Sequence, residues 1–274
     1  MSLYTDYILH SGIKEMKWGI RRFQYKDGSL TPEGRIRYGV KHRSTNIRNK
    51  ASNSYGPFRR ESLNMDAVKS RGQLTDEEAR QCVRLANKMF NKSYKVEPEI
   101  TKDVVDAVSS AGSNMYGMSH RIKQPSSLAA KIGADAKEKS LDFEEAAAGI
   151  KDAIRYTSIA EDDNFVSNYE TVKSNLEAKG YREVRCKNFF EKFKKGEVQH
   201  KSVQCVFENQ NGVSFEIQFQ TPESQAVKEL KVPIYNERRK KGISDDRAAL
   251  LDQRMHDLAE QIPDPKDIEK IKTR

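Results

Sequence analysis

The stretch Ser214–Ser224, SFEIQFQTPES, alternates between apolar and polar side chains almost without a break. The apolar positions are Phe215, Ile217 and Phe219, and the polar positions between them are Glu216, Gln218 and Gln220. An alternation of period two predicts a half-buried β-strand, because successive side chains of a strand point to opposite faces of its sheet. One acid and two amides share the polar face, which is therefore either a wet surface or the floor of a site.

The positive charge of the chain is concentrated near one end. The chain has 274 residues with 49 Lys or Arg and 40 Asp or Glu, a formal net charge of +9. Residues 1–60 contain 13 of the basic and 4 of the acidic residues, which leaves 36 of each in the remainder. The remainder is thus charge-balanced, as in an ordinary soluble enzyme or binding domain.

The cysteine pattern favours a reducing cytoplasm, and the apolar runs are too short for a membrane span. Cys82, Cys186 and Cys205 are odd in number and show no CxxC spacing, which argues against a disulfide framework or a structural zinc site. No apolar run approaches the roughly 20 residues of a membrane span. The start, MSLYTDYILHSG, lacks the apolar core of a secretory signal. We expect no membrane association.

Composition and periodicity divide the chain into four segments. Residues 1–43 are predicted to be a basic N-terminal module, and residues 44–71, rich in Ser, Asn and Arg, a linker or poorly ordered segment. Residues 72–264 are predicted to form the folded domain, and residues 265–274 a C-terminal tail.

The folded domain is predicted to mix helices and strands. Helices are predicted over 75–91, around 104–111, over 125–139, from 142, over 165–179 and around 251–262. Strands are predicted over 150–160, 181–190, 200–208 and 214–221, with a hairpin turn at Asn211-Gly212. The predicted order of elements is helices first, then strands with one helix among them, and then a final helix. This order predicts an α+β fold with one mixed β-sheet flanked by helices.

A basic motif lies in the stretch Ser119–Ile132, SHRIKQPSSLAAKI. Its members, spaced R-x-K-x-x-x-S-x-x-x-K, are Arg121, Lys123, Ser127 and Lys131. Ser127 and Lys131 share one face of the predicted helix, and the two earlier cations precede its N-terminus, where free N–H groups favour an anion. The motif suits a polyphosphate, and the alternative is a solvated basic helix face.

Two acids lie in predicted strands, Asp152 at the opening of one and Glu216 in the middle of another. An acid in an otherwise apolar strand is costly unless it faces water, pairs with a cation or holds a metal ion. Two carboxylates on neighbouring strands provide oxygen ligands that Mg²⁺ takes together with substrate phosphates. The alternatives are that Asp152 pairs with Arg155 and that Glu216 is exposed to solvent.

Several short motifs follow one another over about residues 97–264. They are RIKQPSSLAAK, KDAIRYT, the Gly180-Tyr181 helix end, Lys187-Asn188, and FEIQFQTPES followed by Lys228 and Tyr235. In this order and spacing they resemble the RelA/SpoT-type nucleotide pyrophosphokinase domain of the alarmone synthetases. The nearer likeness is to the compact version of that domain in secreted nucleotide 3′-pyrophosphokinases and polymorphic toxins.

The resemblance implies Mg²⁺ dependence and transfer of the β,γ-pyrophosphate of ATP to a ribose 3′-hydroxyl. It assigns ATP binding to the basic motif and to Arg155, with Arg121 also able to stack on adenine. It assigns Mg²⁺ binding and catalysis to Asp152 and Glu216, and Glu216 would also activate the acceptor hydroxyl. The residues to which it assigns phosphate or acceptor binding are Lys187, Asn188, His200, Gln218 and Tyr235.

The acceptor motif of the larger synthetases, Gly-Tyr-x-Ser-x-His, is altered in this chain. His200 takes the place of the Tyr that stacks on guanine, Ser202 is kept, and Gln204 replaces the His. The expected partners are ATP and a purine nucleotide, with adenine favoured because the compact relatives use it. The alternatives are pyrophosphorylation of the 3′ end of tRNA and a catalytically silent phage head or packaging adaptor. The chain has no His-Asp signature of an alarmone hydrolase, which suggests a toxin or removal of the product by other enzymes.

The N-terminal stretch His10–Gly39 interleaves aromatic and basic side chains. This composition suits binding to nucleic acid or to an acidic protein surface, and the alternative is an inert basic tail. The pattern H-x-G-x-x-x-M-K-W-G-x-R-R followed by D-G-S-L-T resembles a short module at the start of many tailed-phage head-associated proteins. The resemblance implies a phage or prophage origin, contact with a head protein or DNA through residues 10–40, and a location in the bacterial host cytoplasm or in the virion.

Overall fold

The computed structural model describes residues 32–56, 58–196, 200–238 and 242–274. Most of the predicted N-terminal module, up to residue 31, lies outside the described residues. Its expected contacts with a head protein or with DNA therefore stay a prediction.

Five strands among the described residues form one mixed sheet in the order β1-β2-β5-β4-β3. Their bounds are Asn114–Met115 (β1), Arg155–Ile159 (β2), Arg182–Asn188 (β3), Val203–Glu208 (β4) and Ser214–Gln220 (β5). β2 and β5 run parallel, and the other neighbouring pairs are antiparallel. The α+β class with a mixed β-sheet is confirmed, and the predicted turn at Asn211-Gly212 joins β4 to β5.

Helices surround this sheet in the part of the chain that the structure describes. Their bounds are Pro32–Lys50 (α1), Met65–Gly72 (α2), Asp76–Ser110 (α3), Pro125–Lys139 (α4), Phe143–Ala148 (α5), Phe165–Ala178 (α6), Phe189–Lys194 (α7), Pro222–Arg238 (α8) and Asp245–Glu260 (α9). None of these described helices is both long and apolar enough to cross a lipid bilayer.

The helix starts follow the capping signals of the sequence. Thr75 and Glu78 form a capping box at the start of α3, and Asp142 and Glu145 form another at α5. In each box the two residues satisfy backbone N–H groups that a helix N-terminus leaves without partners. The helix predicted from Pro125 is confirmed with the same bounds as α4, and its proline occupies the first turn.

The helices predicted over 75–91 and around 104–111 are one continuous helix, α3, with Pro98 inside it. The expectation of two separate helices is wrong. Pro98 removes one backbone donor and costs about 3 kcal/mol in a helix interior, but the apolar face continues across it. Phe90, Ile100 and Val104 are all buried, and their packing holds both halves in a single helix.

The helix α8 follows β5 directly and has no counterpart among the helices predicted from the sequence. Pro222 suits its first turn, but Pro233 stands in its interior and conceals the helical pattern. α8 packs against α1 and α9, and this position places its polar side chains beside the sheet.

Residues 44–71 differ from the expected linker. α1 crosses the expected boundary after residue 43, and α2 occupies the end of the segment. Ile47 lies in the main core, and Phe58 and Val68 lie in a second apolar cluster together with α4 and the first half of α3. These buried residues are about ten positions apart, so they produce no periodic signal in the sequence.

Residues 265–274 also differ from the expected free tail. Ile268 and Ile271 are buried in the main core. The backbone N–H and C=O of Arg274 exchange hydrogen bonds of 2.8 Å each with Cys186 at the edge of β3. The last residues thus extend the edge of the sheet.

The two faces of the sheet have different surroundings. One face carries the aromatic and branched side chains of β5 together with Tyr156 and Phe207, and it packs on α3 and α6. The other face carries the polar residues of β5. The alternating pattern of Ser214–Ser224 therefore separates a core from a polar layer.

Replacement of Ile47 by Ala should lower the free energy of unfolding by about 2–5 kcal/mol, because it removes a side chain that is 1% exposed from the core. Leu63→Ala is the matched control in the same segment. Leu63 is 45% exposed, and its replacement should change the free energy by less than about 0.5 kcal/mol. Urea denaturation followed by circular dichroism measures both variants. Equal effects would contradict the inclusion of α1 in the domain core.

Candidate active site

Strand register brings polar side chains from four strands to one face of the sheet. Residues directly opposite each other on neighbouring strands point to the same side. The opposed pairs on this face are Arg155 with Glu216, Thr157 with Gln218, Gln218 with Gln204, and Gln204 with Lys187. The polar face of β5 is therefore continued on both sides by charged and amide groups.

Glu216 is only 6% exposed, so the polar face of β5 is not a wet surface. Its carboxylate accepts a hydrogen bond of 2.6 Å from the amide of Gln218, and the amide oxygen of Gln218 accepts one of 2.6 Å from Lys228. A guanidinium nitrogen of Arg185 lies 3.9 Å from the other carboxylate oxygen. This chain of contacts fixes Glu216 in one orientation, with cations on two sides.

Asp152 lies just before β2 rather than in it, and its hydrogen-bond partner is Lys123. The segment around Lys123 runs beside β2, since its backbone N–H donates to Ala153 and the N–H of Arg155 donates to Arg121. The expected alternative partner, Arg155, is a neighbouring charge, and among the described residues it forms no ion pair with Asp152.

The charges around Asp152 hold it ionised. Burial opposes its negative charge, but the cations of Lys123, Lys131 and Arg155 keep the pKa of Asp152 below its usual value. Burial also lowers the pKa of Lys123 against the attraction of Asp152. One carboxylate oxygen of Asp152 is buried without a hydrogen-bond partner, and the ammonium of Lys131 lies 3.9 Å from it.

Arg121 has a different position from the one its assignment to ATP requires. Its guanidinium is 5% exposed and donates to Glu97 at 2.5 Å and to the carbonyl of Met118 at 3.0 Å. The rings of Tyr55 and Phe58 lie 5.4 and 5.9 Å from its central carbon. These groups occupy the faces and edges of the guanidinium to which a base or phosphate would bind. Arg121 therefore stabilises the wall of the candidate site.

A segment before α2 lies against the predicted anion site at the N-terminus of α4. The Gln124 amide accepts from the N–H of Glu61 at 3.0 Å and donates to the carbonyl of Arg59 at 2.9 Å. The hydroxyl of Ser126 accepts from the N–H of Asn64 at 2.9 Å. Ser127 lies on α4 and is only partly exposed. The sequence analysis does not find these contacts, because they join residues about sixty positions apart.

Asn188, predicted to bind phosphate or acceptor, lies on the core face of the sheet, away from the polar face. It is fully buried, and its amide donates to the carbonyls of Ile268 and Ile271 at 3.0 and 2.9 Å. Its amide oxygen caps α7. The neighbouring Lys187 points to the polar face, where burial and the charge of Arg185 lower its pKa.

A large cleft of about 820 Å³ lies between the sheet and the helices α8 and α9. Residues that line it include His200, Gln218, Lys228, Lys231, Tyr235 and Arg238. Three of the predicted phosphate or acceptor residues, His200, Gln218 and Tyr235, are thus brought together, whereas Lys187 and Asn188 do not line this cleft. Lys231 and Arg238 were missed, although with Lys228 and Tyr235 they follow a spacing of three, four and three residues. That spacing marks one helix face, and it becomes a signal once α8 is known.

His200 lines this cleft with an exposed side chain, and the centroid of the Phe189 ring lies 4.2 Å from that of its imidazole. The surrounding cleft walls and the cations of Lys231 and Lys228 lower the pKa of His200 to about 4. The imidazole is therefore neutral at physiological pH and offers an uncharged ring.

A second cleft of about 460 Å³ opens beside β2. Its lining includes His120, Arg121, Arg155 and Thr157, and it shares Gln218 and Lys228 with the large cleft. The two clefts therefore meet over the polar face, next to Glu216.

Lys228 stands at the junction of the two clefts. Burial between them and the charge of Arg155 lower the pKa of Lys228 to about 8, against the opposing attraction of Glu216 and Glu229. A poorly compensated cation at such a junction favours an anionic ligand.

The residues present fit a divalent cation. Asp152 and Glu216 offer carboxylate oxygens, which Mg²⁺ prefers. The buried oxygen of Asp152 that has no hydrogen-bond partner is the kind of atom that a bound cation satisfies. Asp152 is linked to Glu216 through β2, since the N–H of Glu216 donates to the carbonyl of Ile154 at 2.9 Å.

Comparison with solved structures gives distant likenesses. No family model and no curated protein matches the chain. The Type VI effector Tas1, solved in complex with its immunity protein, is 16% identical and covers 67% of this chain and 96% of its own, with a TM-score of 0.41. Small alarmone synthetase 1 from Bacillus subtilis, solved with its product pppGpp, is 20% identical and covers 52% of this chain and 72% of its own, with a TM-score of 0.35. Both TM-scores are below 0.5, so the chemistry of the site rests on this chain's own residues.

Replacement of Glu97 by Gln should lower the free energy of unfolding by about 3 kcal/mol, because it leaves the buried guanidinium of Arg121 without an opposing charge. Glu99→Gln on the same helix is the matched control, since Glu99 is exposed and should change the stability by less than about 0.5 kcal/mol. Thermal and urea unfolding measure the difference. A Glu97 variant as stable as the control would show that the pair does not hold Arg121.

Proposed function

We propose that the chain transfers the β,γ-pyrophosphate of ATP to the 3′-hydroxyl of a purine nucleotide in a Mg²⁺-dependent reaction. The observation that carries the proposal is the junction of two clefts at Gln218 and Lys228, beside the buried carboxylate of Glu216. Two clefts that meet at a line of cations suit two nucleotides whose phosphates come together. The resemblance of the motifs to the pyrophosphokinase domain supports the same reaction.

ATP is proposed to occupy the smaller cleft with its phosphates directed toward Lys228. ATP carries about four negative charges, which repel an incoming oxygen until cations neutralise them. Arg155 and Lys228 line that cleft, and Lys123 and Lys131 stand beyond it around Asp152. Arg121 acts as a positioning residue in this proposal, through its contacts with Glu97 and Met118.

Asp152 and Glu216 are the residues proposed to hold Mg²⁺. When bound, the ion would neutralise phosphate charge and polarise the phosphorus–oxygen bonds. The chain's own contribution is to keep Asp152 ionised beside Lys123 and to orient Glu216 through Gln218.

Glu216 is proposed to accept the proton of the acceptor 3′-hydroxyl. The hydroxyl oxygen forms a bond to the β-phosphorus of ATP, and the bond from that phosphorus to the α,β-bridging oxygen breaks, which releases AMP. General-base catalysis of this kind contributes about 10²–10⁴-fold to a rate. Gln218 holds Glu216 and is itself held by Lys228, so that the base has one orientation.

The acceptor is proposed to bind in the larger cleft. Its volume of about 820 Å³ accommodates a nucleotide, and His200 with Phe189 offers an uncharged aromatic surface for a base. Lys231 and Arg238 are on the same helix face as Tyr235 and suit the acceptor phosphates. Adenine is the proposed base, following the resemblance to the compact relatives.

A label-transfer assay tests the reaction. Purified chain with Mg²⁺ and γ-labelled ATP should move label to AMP or ADP, and Glu216→Gln and Asp152→Asn should each reduce the rate by about 10²-fold or more. Glu177→Gln is the matched control, because Glu177 lies on the exposed side of α6 in an ion pair with Lys173. It should keep the rate of the parent chain.

Different acceptors separate the alternatives in the same assay. Label on GDP or GTP in place of adenine nucleotides would correct the base, and label on deacylated tRNA would replace the nucleotide acceptor by the tRNA 3′ end. Absence of transfer to every acceptor would overturn the enzymatic proposal and leave the adaptor reading of the sequence.

The charge of Lys228 should make ATP binding depend on pH. Its pKa of about 8 means that it is cationic below pH 8 and loses its proton above, so ATP affinity should fall several-fold between pH 7.5 and about 9.5. Lys228→Arg keeps a permanent cation and should flatten most of this decrease. Lys231, whose burial also lowers its pKa to about 8, leaves a residual slope in both proteins. Isothermal titration calorimetry measures the affinities, and identical slopes would contradict the position given to Lys228.

A further inference from the structure

Cys186 and Cys205 form a pair of thiols in the core, on the side of the sheet away from the clefts. They are opposite each other in the register of β3 and β4, and both are fully buried. Their sulfur atoms lie 3.1 Å apart, and the thiol of Cys205 donates to the sulfur of Cys186. We propose that these two residues are an oxidation site at which hydrogen peroxide produces a reversible disulfide between β3 and β4.

The backbone geometry at this pair suits a disulfide. The N–H and C=O of Cys186 bond to Arg274 on the outer edge of β3, so they point away from β4. Cys186 and Cys205 are therefore a non-hydrogen-bonded antiparallel pair, whose α-carbons are about 4.5 Å apart. That separation falls within the range of about 4.4–6.8 Å that a disulfide spans. Closing the bond requires the sulfurs to approach by about 1 Å.

A metal ion fits the same atoms less well. Glu183 lies close enough to both sulfurs to complete a group of three ligand atoms within 4.8 Å. Its carboxylate is already engaged, by the hydroxyl of Tyr169 at 2.8 Å and the guanidinium of Arg274 at 2.6 Å. Two thiolates bound tetrahedrally to zinc stand about 3.8 Å apart, which is wider than the observed sulfur separation. Sulfur–sulfur bonding is the chemistry that the geometry favours.

The two thiols have different surroundings, and Cys186 is the one that reacts first. The hydrogen bond from Cys205 lowers the pKa of Cys186 against the opposing effects of burial and of the charge of Glu183, and the Tyr169 hydroxyl at 3.8 Å and Arg274 add to the lowering. Burial raises the pKa of Cys205, which keeps its proton. In such a pair the more acidic thiol attacks the oxidant after it loses its proton, and the other sulfur resolves the product.

The oxidant reaches Cys186 through the edge of the sheet. β3 is the last strand in the described sheet order, and two backbone hydrogen bonds to Arg274 cover its outer edge at Cys186. Local opening of the last residues breaks these two backbone bonds and the ion pair of Arg274 with Glu183, which requires less free energy than unfolding of the domain. Hydrogen peroxide is small enough to enter by that route.

The oxidation balances in two steps. The Cys186 thiolate attacks one peroxide oxygen, the O–O bond breaks, and the departing hydroxide takes a proton to become water, which leaves a sulfenic acid. The sulfur of Cys205 then displaces the hydroxyl of that sulfenic acid, which leaves as a second water with the thiol proton. Two thiols are oxidised to one disulfide, and one peroxide is reduced to two waters.

Thiol counting on the full chain tests the inference. The reduced chain, denatured after treatment, should show its three thiols, and the chain treated with hydrogen peroxide should show one, that of Cys82. The intact mass should decrease by two hydrogen atoms, a peptide map should join Cys186 to Cys205, and dithiothreitol should restore all three thiols. The cross-link closes a loop of about twenty residues, so the melting temperature should rise by about 5 °C.

Two variants separate the pair from the third cysteine. Cys82→Ala removes a buried cysteine outside the pair and should lose two thiols to peroxide as the parent chain does. Cys205→Ala should form no cross-link, and Cys186 should instead gain oxygen or stay reduced. Three intact thiols in the treated parent chain, or oxygen added to the pair without a cross-link, would overturn the inference. Zinc that co-purifies with the chain and blocks both thiols would also overturn it, in favour of a metal site.

Discussion

The parallel pairing of β2 with β5 is the interaction on which the rest of the site depends. It places Arg155 opposite Glu216 and Thr157 opposite Gln218, and it carries the segment around Asp152 to the same part of the sheet. All other strand neighbours are antiparallel in the described sheet, and the only parallel pair there is the one that separates the smaller cleft from the larger. A shift of one residue in this register would turn Glu216 into the core and a phenylalanine into the polar layer.

Burial raises the free-energy cost of the charged groups in this arrangement. Glu216, Asp152 and Lys123 lie where water compensates charge poorly, and each is stabilised by a partner of the opposite charge or by an amide. Burial lowers the pKa values of Lys228 and Lys231 to about 8. Such a layer of charges is stabilised further by any ligand that adds negative charge between the cations.

Local patterns in the chain predicted the local elements well. The alternation at Ser214–Ser224, the capping boxes and the proline of α4 each depend on residues a few positions apart, and the structure confirms them. The division of α3 failed because Pro98 is a local breaker signal that long-range burial overrides. α8 was missed for the same reason, since Pro233 interrupts a helix that α1 and α9 hold in place.

The sequence by itself determined the strand of the site, the class of fold, and the presence of acids and cations with the chemistry of a phosphate and Mg²⁺ site. Only the tertiary structure decided which of these groups are available. It paired Arg121 with Glu97, 24 positions away, and turned Asn188 into the core. It also brought Lys228, Tyr235 and Arg238 to one wall of a cleft. The physical reason is that a residue's neighbours along the chain set its local conformation, whereas the partner of a buried charge is set by how distant elements pack.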